Sequence, residues 1–89
     1  MKITGLDPAK AGIFRDDLIE RTAVKNVNEI SSSQNEIIWE VIYPGRVFAL
    51  RDTLSFYADD PRMFVVVKET GKKIKILDAK RGEIKIAFE

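Results

Sequence analysis

Hydrophobic and polar positions alternate most cleanly in the last third of the chain. Ile74 and Ile76 alternate with Lys73 and Lys75, and Ile84, Ile86 and Phe88 alternate with Glu83, Lys85 and Glu89. A period of two predicts half-buried strands, here over 73–78 and 83–88. Ala79–Gly82 supplies the turn between them. Residues 62–69 (RMFVVVKE) are a short apolar run followed by Thr70-Gly71-Lys72, and they read as another strand. Residues 62–88 therefore predict a C-terminal three-stranded antiparallel meander.

Residues 36–43 (EIIWEVIY) predict a further strand, apolar on both faces and so central in its sheet. Ser31–Asn35 before it reads as a loop. Residues 24–30 are open to two readings. Val24, Val27 and Ile30 have helical spacing, whereas the β-branched content with Asn26 and Asn28 suits an irregular strand that would pair with 36–43 as a hairpin. Residues 2–6 predict a short opening strand or an extended lead-in.

Two segments have helical spacing. Asp7-Pro8 is a helix-start pair, with Asp as N-cap and Pro at the first helical position. Ala11, Phe14 and Leu18, joined by Ile19, share one face over 8–22, and the charged residues fall mostly elsewhere. Gly12 weakens this helix by roughly 1 kcal/mol relative to Ala. Val47, Leu50, Leu54 and Tyr57 mark a second helix over 47–58, between Pro44-Gly45 and Asp59-Asp60-Pro61. Two short strands are the rival there, because Phe48, Leu50, Leu54 and Phe56 also alternate. The fold class expected is α+β. It is a single two-layer domain over 1–89, with a mainly antiparallel sheet packed against one or two helices.

Size fits one core. A 10.1 kDa chain folds to a surface of roughly 5,300 Å² and buries about 64% of its extended area. Composition narrows the function. The chain has no Cys and no His. That removes disulfides, thiolate or imidazole metal sites, and nucleophilic dyads that use either residue. Its five glycines are isolated, so no phosphate-binding loop is present. Asp59 and Asp60 read as a turn rather than metal ligands. The expectation is a non-enzyme with no cofactor and no metal. No apolar stretch approaches the ~20 residues of a membrane helix, and residues 1–8 hold no signal-peptide core. With no disulfide staples in so small a chain, the cytoplasm is the expected location.

The formal charge of +1 conceals an asymmetry. Residues 1–61 carry seven Lys/Arg and ten Asp/Glu; residues 62–89 carry eight and four. Lys68, Lys72, Lys73, Lys75, Lys80, Arg81 and Lys85 are candidate macromolecule-binding residues on the expected meander. The plainer account is a solvated sheet face. Tyr43, Arg46 and Phe48 form a second candidate, an aromatic/Arg patch of the kind enriched in protein interfaces.

Three functions follow in order. The first is a small binding or regulatory protein that occupies a surface on another protein, as an inhibitor or adaptor. The second is a nucleic-acid-binding module using the basic meander. The third is a self-assembling subunit that pairs copies through an exposed strand edge.

Overall fold

Three residues, Lys2–Thr4, form the middle strand of the sheet (β1). A computed structural model describes residues 1–89 and gives the order β1, α1 (Pro8–Arg21), β2 (Asn26–Ser32), β3 (Ile37–Ile42), α2 (Val47–Phe56), α3 (Val65–Thr70), β4 (Ile74–Lys80) and β5 (Glu83–Phe88). The five strands lie in the order β2-β3-β1-β5-β4. Only the β1–β5 pairing is parallel; the other three are antiparallel. Ile3 joins the two hairpins, opposite Ile37 on one side and Ile86 on the other. Its side chain is fully buried.

The helices cover one face of this sheet, which makes a two-layer α+β domain. The accessible surface is 5337 Å², matching the roughly 5,300 Å² that mass scaling gives. α1 packs on α3, and α2 lies across β4 and β5. Ile37 and Trp39 of β3, and Ile84, Ile86 and Phe88 of β5, project into the helix layer. Phe14 of α1 is the hub of the core. Its ring stacks on Trp39 at 5.8 Å and meets Phe64 and Phe88 edge-on at 6.1 and 5.1 Å.

α1 starts as expected, with the Asp7 carboxylate accepting the Ala9 N–H at 3.0 Å. The segment 24–30 resolves as strand: β2 pairs with β3 in a hairpin and extends through Ser32, so the loop is shorter than Ser31–Asn35. The packing gain decides this, because β2 covers one side of β3 and buries Val27. β3 is an interior strand, but only one of its faces is covered. Ile42, on the open face, is exposed.

The three-stranded meander is corrected to a two-stranded hairpin, β4–β5. Residues 62–69 are a turn followed by α3, not a strand. Short apolar runs do not distinguish a strand from a buried helical turn. Two contacts decide for helix. Asp17 of α1 accepts the Val66 N–H at 2.9 Å. At the other end Gly71, at φ 68°, closes the helix with its N–H on the Val67 carbonyl at 2.9 Å. The strand vacated by 62–69 is supplied by β1, from the far end of the sequence.

Candidate functional site

The sheet is interrupted at one end. β1 has three residues, whereas the strands beside it have six each. The Met1 amino group donates to the Trp39 carbonyl at 2.7 Å, and the Trp39 N–H donates to the Met1 carbonyl at 2.9 Å. Beyond that pair, β3 continues through Ile42 with no strand on its β1 side. A cleft of about 660 Å³ opens there. Val41, Tyr43 and Trp39 form one wall, Ile84, Glu83 and Gly82 the other, and Val47 and Leu50 of α2 the floor. Glu40 and Lys2 reach it from the open sheet face. Burial lowers the pKa of the Met1 ammonium below its usual value, and the charge of Glu83 works against that shift.

The second feature is the outer face of α2. Leu50 and Leu54 point into the core, and Tyr57, just past the helix, packs against it. Phe48, Asp52 and Phe56 recur every four residues on the opposite side, where helical spacing places them together. Phe48 is 45% and Phe56 78% exposed. The Arg51 guanidinium sits 4.8 Å from the centre of the Phe48 ring and also bonds the Asp52 carboxylate at 2.8 and 3.0 Å. Phe56 meets Tyr57 edge-on at 4.8 Å.

The aromatic/Arg candidates divide between the two features. Tyr43 lines the cleft, Arg46 is the exposed N-cap of α2, and Phe48 stands on its outer face. Sequence reasoning missed that Phe48 and Phe56 are both exposed on the outer side of α2. The signal was present as the four-residue recurrence, but both residues also fitted an alternating strand pattern.

The seven basic candidates do not share one face. Lys68 lies on α3, in the helix layer. The Lys72 ammonium is used internally, donating to the Gly5 carbonyl at 2.9 Å. Lys75 pairs with Glu89 at 3.7 Å and Lys80 with Glu83 at 3.9 Å. Lys73 and Arg81 are exposed at the two ends of β4. Lys85 stands on the open face beside Lys2, its partner in the parallel register. Lys2 in turn pairs with Glu36 at 3.1 Å. Of the seven, only Lys75 and Lys80 pair with acidic groups, and both acids come from the same segment. The candidates are divided between α3, the turns and the open sheet face, so they do not form one continuous basic stripe. No group of three or more Asp and Glu side chains converges. No helix is long and apolar enough to cross a membrane.

No protein family, curated protein or solved structure matches this chain.

Proposed function

We propose that this chain is a non-catalytic binding protein that occupies a surface on another protein, as an inhibitor or adaptor, with the outer face of α2 as the contact. One observation carries the reading: Phe48 and Phe56 stand outward on the same face of one helix, 45% and 78% exposed. Exposed aromatic side chains leave a large apolar area in water, and its removal on binding is favourable. Aromatics with Arg are also the residue types that dominate interface energetics. Arg51, stacked on Phe48, and Arg46 at the helix start complete that set. The absence of His and Cys removes the commonest acid–base and nucleophilic side chains and supports a non-enzymatic role. The lack of cysteine in so short a chain supports the cytoplasm as its location.

The test is photo-crosslinking in cells of the source organism, with the reactive side chain placed at Ser55, between the two phenylalanines. The reading expects one dominant protein adduct, lost in a folded Phe48→Ala/Phe56→Ala variant. An unchanged adduct in that variant overturns it. So does a signal no stronger than that from a probe at Asp16 on α1.

A further inference from the structure

We infer that two copies of this chain pair through the outer face of α2, antiparallel about a two-fold axis at Asp52, and so cover Phe48 and Phe56 when no other protein does. The pairing itself stands on symmetry and charge. Its regulatory sense, a face kept closed until the partner arrives, rests on the function proposed above.

Symmetry comes first. A two-fold contact needs a surface that is its own complement. Phe48 and Phe56 are exposed on one side of a ten-residue helix, with Asp52 midway between them. Setting Phe48 of one copy against Phe56 of the second gives two equivalent aromatic contacts about 12 Å apart along the helix. Asp52 then lies at the axis. Each Asp52 brings its own Arg51, bonded at 2.8 and 3.0 Å, so the two carboxylates meet as neutralised pairs.

Charge comes second. Arg46 is the N-cap of α2 and makes no cap bond. Asp59 lies just past the other end, in a recess it shares with Phe56 and Tyr57. Both are exposed, and neither belongs to any of the molecule's five ion pairs. Within one copy the two charges oppose the helix macrodipole, which favours an anion at the N-terminus and a cation at the C-terminus. No acidic residue in the first turn and no basic residue in the last offsets them. The antiparallel register reverses the relation. Arg46 falls opposite Ala58 of the second copy, next to Asp59, at the helix end that favours a cation. Asp59 likewise meets Arg46 at the end that favours an anion. A parallel pairing instead sets Arg46 against Arg46 and Asp59 against Asp59.

Strand edges are the other route to self-pairing, and both are partly closed. On the outer edge of β2, Arg15 Nε donates to the Val27 carbonyl at 3.2 Å; on that of β4, the Ile74 N–H is bonded to the Ala58 carbonyl at 2.8 Å. The α2 face is only about 15 Å long, so it covers far less than the roughly 800 Å² per partner of a standard interface. The dimer is therefore weak, and a protein with a larger complementary surface displaces it.

The test is sedimentation equilibrium of the full chain from micromolar to millimolar concentration. The wild type is expected to pass from monomer to dimer. Arg46→Asp alone and Asp59→Arg alone each set like charges together in both pairs, and each should weaken dimerisation about tenfold. An equal mixture of the two variants restores both ion pairs and should associate as the wild type does, which also shows that both are folded. Phe48→Ala/Phe56→Ala should stay monomeric. The chain has no Cys, so Ala49→Cys carries a single spin label. That label should broaden the Ser55 and Phe56 amides of an isotope-labelled second copy more than its Val47 and Phe48 amides. The inference is overturned by a monomer at millimolar concentration, by a mixture that associates no better than either variant alone, by a dimer that survives loss of both phenylalanines, or by the opposite broadening. Crosslinking at Ser55 separates the two claims. A dimer with no foreign adduct removes the proposed function and leaves the pairing, and an adduct with no dimer does the reverse.

Discussion

Asp17 on α1 caps a helix to which it does not belong: its carboxylate oxygen lies 2.9 Å from the Val66 N–H of α3. Phe64, the residue at the cap position of α3, makes no side-chain cap bond. Asp17 is the only buried charged residue, at 4% exposure, and it ties the two helices of the layer together. A six-residue helix rich in valine does not hold in isolation. Replacing Asp17 with Ala removes the acceptor and leaves buried N–H groups unsatisfied. The expected loss is about 1–2 kcal/mol, measured as a lower urea midpoint. Amide exchange should accelerate first in Val66–Thr70.

The same carboxyl gives stability a distinctive pH dependence. Burial raises the Asp17 pKa above its ordinary 3.8, against the N–H bonds from Val66 and Val65 and the charge of Arg21; Asp16 adds to the rise. A raised folded pKa means that the native state holds the proton more tightly than the unfolded chain. The resulting stabilisation is full below 3.8 and is lost as pH climbs through the raised value. Wild type should therefore gain on Asp17→Asn as pH falls from 7 to 4 in paired denaturation curves. Asp60 has the opposite sign. The Arg62 N–H, with its guanidinium, lowers the Asp60 pKa. Its contribution is present above 3.8 and lost as pH falls through the lowered value, so any advantage of wild type over Asp60→Asn should vanish in acid.

Phe14 and Phe56 are chemically identical and should behave oppositely. Phe14 is fully buried against Trp39, Phe64 and Phe88. Its truncation to Ala should cost about 3–5 kcal/mol, a large share of the roughly 5–15 kcal/mol that holds a domain folded. Phe56 is 78% exposed. Phe56→Ala should change stability by less than about 0.5 kcal/mol. Calorimetric midpoints separate the two directly.

Two glycines give a further contrast. Gly5 ends β1 at φ 75°, and a Cβ there would fall on the Phe88 carbonyl oxygen. Gly5→Ala should cost upward of about 1–2 kcal/mol from the left-handed conformation alone, and it should loosen the β1–β5 pairing. Gly12 lies within α1 with open space around it. Gly12→Ala should stabilise the protein by about 0.5–1 kcal/mol. Urea titration of both variants checks the signs.

The sequence by itself determined those elements whose pattern and punctuation agree. Asp7-Pro8 with Ala11, Phe14 and Leu18 set α1, and alternating isoleucines set β4 and β5. The spacing Val47, Leu50, Leu54 favoured a helix over 47–58 but left two short strands open until the structure showed α2; the sum of these set the α+β class. These signals are local, so no distant contact was needed to read them. Tertiary structure alone decided three things. It made 65–70 a helix, because its cap comes from Asp17, nearly fifty residues earlier. It placed Lys2–Thr4 at the centre of the sheet, because a three-residue strand is held by neighbours on both sides rather than by its own propensity. It also divided the lysines, because the helix over 65–70 carries Lys68 away from the sheet and Lys72 turns to the Gly5 carbonyl. A parallel pairing between the two ends of the chain leaves no trace in local periodicity.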